Sequence, residues 1–163
     1  MKISFLSTVL LSLFVFLGCS DKKKISSEAH QQAVELTSSM EALHKSLETQ
    51  LSELEEENTK ITAEVRRMKE PDAGVMQMIK EHNSLMTQFT GQLKAQEELI
   101  KQHQAYIKKH ETSALSPSEI EAQHIQMKKD FEALKIEVIS MSDQIEDMQS
   151  QYKGVIGQLN ENQ

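Results

Sequence analysis

Histidine and methionine supply the first candidates for chemistry in this chain. His82, His103 and His110 share one position of a seven-residue repeat with Val75, Phe89 and Gln96. Met78 and Met86 stand one helical turn on either side of His82, so a helix would carry two thioethers and an imidazole on one face. Neutral imidazole is a common metal ligand, and with thioethers it suits a soft ion such as Cu(I). His103 and His124 extend the candidate set of His82, Met78 and Met86. The spacing argues against a metal. None of His82, His103, His110 and His124 has a second His or a carboxylate four residues away, as helical zinc sites usually do. Met is also a common filler of irregular cores. The expectation is therefore a row of core or boundary histidines with hydrogen-bond partners, and neither metal nor cofactor.

Other chemistry is poorly provided for. Cys19 is the only cysteine, so no intramolecular disulfide can form. There is no nucleophile-elbow Ser, no Gly-rich phosphate loop and no His-Glu-x-x-His. Glu55, Glu56 and Glu57 are consecutive, and on a helix their carboxylates point in different directions. No catalytic residue is assigned, and a non-enzymatic protein is expected. The net charge is −7 and there is no Trp. An acidic chain without clustered Arg or an aromatic stacking platform is a poor nucleic-acid binder.

The elements that would position these residues are long helices. Five Gly and two Pro in 163 residues are too few for the frequent turns of a sandwich or barrel. Two interruptions stand out, Pro71-Asp72-Ala73-Gly74 and Ser113-Ala114-Leu115-Ser116-Pro117. Around them the apolar spacing is helical. Ile120, His124, Met127, Phe131, Leu134, Val138, Met141, Ile145, Met148, Tyr152, Val155 and Leu159 recur at steps of four and three, a heptad seam. Val75, Ile79, His82, Met86, Phe89, Leu93, Gln96, Ile100, His103, Ile107 and His110 keep the same rhythm. A second row of Met78, Leu85, Leu99 and Tyr106 widens that face, which predicts a middle helix packed between two neighbours. The first seam runs from Ala33 to Met68 with a stutter at Leu43-Leu47-Leu51. Ser116 and Glu119 have capping-box spacing around Pro117, and Ser26 or Ser27 could cap the first helix.

These periods predict an all-α fold, an elongated antiparallel three-helix bundle or coiled coil. Its helices lie near 27–69, 73–111 and 117–160 and are each about 60 Å long. A turn at residues 71 and 72 pairs positions adding to about 143, and a turn at 114 pairs positions adding to about 228. Those registers set His103 level with Met40 and His44 on one side and His124 on the other. They set Asn58 near His82 and Leu85.

The first residues have a different character. Lys2 is followed by an apolar run over residues 3–17, then Gly18 and Cys19. The run is shorter than the roughly 20 residues that span a bilayer, and its order is that of a secretory signal. Phe16-Leu17-Gly18-Cys19 resembles the lipobox of bacterial lipoproteins, with Phe16 in place of the usual Leu. The resemblance covers residues 1–19 and supplies no family for 20–163. It implies cleavage before Cys19 and acylation of that residue, palmitate being one such chain. It also implies attachment to a membrane of the cell envelope. Ser20 rather than Asp after the Cys implies release to the outer membrane, facing the periplasm.

The expected organisation is a signal peptide over 1–18, preformed as an apolar helix, a lipidated Cys19 with a polar tether over 19–26, and a bundle over 27–163. Loss of Lys2 leaves 17 basic residues against 25 acidic ones, a mature charge of −8. Function is expected to lie in binding, spacing or scaffolding by a lipid-anchored rod. A His/Met-based metal or stress sensor of the periplasm is the alternative, and a self-assembling coiled-coil scaffold a third. The expected partners are the membrane and an unidentified protein, with homo-oligomer formation open and nucleic acid not expected.

Overall fold

The computed structural model describes residues 22–112 and 115–161, with the side chains of 22–27 and 159–161 outside the description. The described residues form three α-helices, α1 (Lys22–Arg67), α2 (Ala73–Glu111) and α3 (Pro117–Glu161). At about 1.5 Å per residue they are roughly 60–70 Å long. They pack as a three-helix bundle in which α2 runs antiparallel to α1 and α3, leaving α1 and α3 parallel. Cross-helix bonds fix that arrangement: His44 meets Gln96, His82 meets Gln151, and Tyr152 meets Asn58.

Local chemistry stops and starts each helix. Behind Arg67 the Met68 amide bonds back to the Val65 carbonyl, a tightened last turn. Asp72 caps α2, its carboxylate accepting from the Val75 amide at 2.9 Å. Lys108, Lys109 and His110 lie in the last turn of α2, where cations complement the helix dipole. Ser116 and Glu119 form the expected capping box. The Ser116 amide donates to Glu119 Oε2 at 2.7 Å, and Ser116 Oγ faces the Glu119 amide. The Ser116 hydroxyl, donating to Glu119 Oε2 at 2.6 Å, and then the Ser116 amide hold the Glu119 carboxyl below its ordinary range.

One boundary differs. The expected start near residue 27, capped by Ser26 or Ser27, is replaced by a helix that already begins at Lys22. Nothing between Lys22 and Ser27 breaks a helix, and extending an existing one costs far less than nucleating it. Residues 22–26 of the expected tether are helical. The signal segment and Cys19 lie outside the described residues.

The core is the three seams interlocked. Met40, Leu47, Leu54, Ile61, Phe89, Met127, Met141, Ile145 and Tyr152 are almost wholly removed from solvent. Thr37, absent from the predicted seam, is also buried and donates to the Ala33 carbonyl. Met68 at the end of the first seam is instead exposed, because α1 has stopped one residue earlier. The middle helix is not the one held closest on both sides. The α1 backbone approaches α3 most closely and α2 next, while α2 and α3 stand further apart. Helix separation follows side-chain size at the contact. From α2 the long polar side chains of His82, His103 and Gln96 face α3.

A seam built this way should be sensitive to truncation. Leu134 is buried, and Leu134→Ala is expected to cost about 2–5 kcal/mol of unfolding free energy, as large-to-small core changes do. Asp72→Ala should cost about 1 kcal/mol through the lost cap. Urea unfolding followed by circular dichroism checks both, and a loss below about 1 kcal/mol for Leu134→Ala would count against a cooperative seam.

Candidate functional site

The polar residues of the seams pair across helices. Tyr152 of α3 donates its phenol proton to Asn58 Oδ1 of α1 at 2.6 Å, and Asn58 Nδ2 donates to Asn83 Oδ1 of α2 at 2.8 Å. One chain of two bonds thus ties all three helices together. Burial, then the nearby Glu57 carboxylate, pushes the Tyr152 phenol up to about 12, so it remains a proton donor at any ordinary pH. His82 lies against Tyr152 with ring centroids 4.8 Å apart and shares Gln151 Oε1 at 3.1 Å through Nε2. The acceptor oxygen requires the proton on Nε2 and leaves Nδ1 bare, buried and without a partner.

A second layer is built around Gln96. His44 Nδ1 lies 3.3 Å from Gln96 Oε1, and Gln96 Nε2 approaches the Met141 sulfur at 3.9 Å. A third holds His103, which is fully buried, with Nε2 3.0 Å from Asp130 Oδ2. Gln126 Nε2 donates to the other oxygen of Asp130 at 2.7 Å. A fourth lies at the N-terminal end. His110 Nε2 donates to Gln123 Oε1 at 3.0 Å, and its ring meets that of His30 edge-on at 6.2 Å.

His103 does not face His124, as the turn registers predicted. α2 and α3 are paired at positions adding to 233, as in His82–Gln151, His103–Asp130 and His110–Gln123. The first turn of α3 overhangs the end of α2 by several residues, and each side chain leans toward its own helix N-terminus, so contacting residues lie C-terminal to the level where they meet. His124 is consequently carried toward His110; burial first, then Lys128 and His110, depresses its pKa. On the α1 side the expected level is close: Asn58 meets Asn83, and Gln104 donates to Glu41 next to Met40.

The candidate ligands have other neighbours. His82 and Met86 are buried and Met78 is partly buried, but the His82 ring is committed to Gln151 and Tyr152. His103 belongs to Asp130. Among the described residues no group of three or more His, Cys, Asp or Glu is arranged to hold a metal ion. Cys19 lies outside the described residues. The α1–α2 surface carries an open groove of about 370 Å³ lined by Glu55, Asn58, Thr59, Asn83, Met86, Thr87 and Thr90. Thr59, Thr87 and Thr90 spend their hydroxyl protons on carbonyls of their own helices. The partners Asp130, Gln123, Gln151 and Asn83 escape sequence reasoning because each lies beside a seam position, where periodicity carries no signal. Correct interhelical register would have found them.

Comparison with protein-family models, with curated proteins and with solved structures finds no match to this chain.

The layers predict a pH response. Burial lowers the pKa of His82 against the smaller opposing effects of the Gln151 bond and Glu81. A group depressed in the folded state binds fewer protons folded than unfolded, so the stability it contributes is present above the unfolded pKa of about 6.5 and declines as pH falls through it. Urea midpoints should therefore fall between about pH 7.5 and 5.5, and His82→Leu should reduce that fall. An unchanged pH slope in His82→Leu would exclude His82 as its source. Tyr152→Phe removes the link to Asn58 and is expected to cost about 0.5–1.5 kcal/mol at neutral pH in the same assay.

Proposed function

We propose that the protein is a lipid-anchored spacer and binding rod of the bacterial cell envelope. The observation that carries this reading is the apolar run over residues 3–17 ending in Leu17-Gly18-Cys19. An acylated Cys19 would lie just ahead of Lys22, the first residue of α1. Each acyl methylene buried in a membrane is worth about 0.8 kcal/mol. The Lys22-Lys23-Lys24 run would sit at the headgroups, where basic residues favour anionic lipid. No described helix is long and apolar enough to cross a membrane.

The geometry suits spacing. Parallel α1 and α3 hold their C-terminal ends at the far end of the rod, about 60–70 Å from the anchor. Met68, Met76 and Ile156 are exposed there, and the adjacent Arg66, Arg67 and Lys69 contrast with the acidic chain. Binding is assigned to this tip, and the outer membrane is the proposed site of attachment because Ser20 follows the Cys.

Cys19→Ala is expected to leave a larger, unprocessed precursor that takes up no radioactive palmitate, while wild type is shortened, labelled and sedimented with membranes. Normal processing and labelling of Cys19→Ala would overturn the proposal.

A further inference from the structure

α3 carries a second periodic row that the bundle does not use. Ala122, Ile125, Lys129, Glu132, Ile136, Ile139 and Asp143 follow one another at steps of three and four, and all are exposed. At about 3.6 residues per turn the row lies on the side of α3 opposite the buried stripe of Leu134, Val138 and Met141. Ile136 is 68% exposed, Ile125 51% and Ile139 44%. One exposed isoleucine needs no partner. Three on one heptad row, with a lysine and a glutamate between them, have the pattern of a coiled-coil seam.

The two charges in the row select what covers it. Among the described residues neither Lys129 nor Glu132 is in a salt bridge. When the row is laid antiparallel on the same row of a second chain, Lys129 of each copy stands opposite Glu132 of the other. Ile125 then stands opposite Ile136 and Ala122 opposite Ile139, and each contact occurs twice about the two-fold axis. Asp143 falls opposite Ser118 in the first turn of the other α3, where the helix dipole favours a carboxylate. Slipped alignments lose this match. One heptad of slip in either direction sets Lys129 against an isoleucine, and a second heptad sets Glu132 against Asp143 in one of them. A parallel pairing sets Lys129 against Lys129 and Glu132 against Glu132, like charges that repel.

We propose that the outer face of α3 is a homodimer interface, closed by a second copy of this chain in antiparallel alignment with Ile125 on Ile136 and Lys129 on Glu132. Residues 117–144 of the two copies overlap, about 40 Å of helix. One helix face of that length is smaller than a standard interface, so the dissociation constant is expected on the order of 10 µM. The inference rests on the row and does not depend on lipidation. In an anchored chain the antiparallel pair carries its two anchors at opposite ends.

Sedimentation equilibrium of the full chain in density-matched detergent tests it, at loading concentrations up to about 100 µM. Wild type should move from monomer to dimer across that range and go no further. Ile136→Asp should weaken the dimer at least about tenfold with its helical circular dichroism unchanged. K129E and E132K should each weaken it severalfold, because each sets like charges opposite one another. The double variant K129E/E132K should recover wild-type affinity, since the exchanged pair again meets across the two-fold axis. A wild-type chain that stays monomeric, or that assembles beyond a dimer, would overturn the proposal. So would an Ile136→Asp chain that pairs like wild type, or a double variant as weak as the single ones.

Discussion

Three helices of this length can slide past one another by whole heptads and still bury apolar surface, so something must penalise the slipped registers. The bond chain from Tyr152 through Asn58 to Asn83 does this. The buried Tyr152 hydroxyl, stranded against aliphatic side chains, would lose its acceptor and keep its desolvation cost. In the native register the bond chain joins all three helices at one level. The Gln96, His103 and His110 layers repeat the constraint at other heights. Polar seam residues thus give up some stability per layer and in return select one alignment over its neighbours.

The apolar layers supply cohesion, and the surface adds little. Lys60–Glu56, Lys101–Glu97 and Arg67–Glu64 are exposed pairs within one helix, of a kind worth a few tenths of a kcal/mol. They favour helicity without choosing a partner helix. The α2–α3 interface, the widest of the three, is the one bridged by imidazole and amide side chains. His82, His103 and His110 are bonded across the α2–α3 interface, while His30 and His44 meet α2 from α1.

The described helices run along one axis, with α1 and α3 parallel and α2 opposed to them. A lipid at Cys19 would fix the end of the rod that carries His30, His110 and His124, and the tip with Met68, Met76 and Ile156 would lie at the other. The polar groove along α1 and α2 is shallow and open, and its hydroxyls are already engaged with backbone carbonyls.

The helices, their breaks and most of the core were legible in the sequence. A run of steps of four and three from Ile120 to Val155 admits one buried stripe and one secondary structure, and Ser116-Pro117 with Glu119 marks a helix start whatever surrounds it. These are local properties. Alignment between helices is not local, because each heptad offers a similar apolar surface. The five-residue shift of α3 against the symmetric turn therefore gave His103 to Asp130 and brought His124 to His110. The same holds for the start of α1 at Lys22, where tolerance of helix, rather than a signal for it, decides the boundary. Sequence chose which residues are buried; only the tertiary packing decided which buried polar groups meet, since that depends on helix separation and overhang set by side chains distant in the chain.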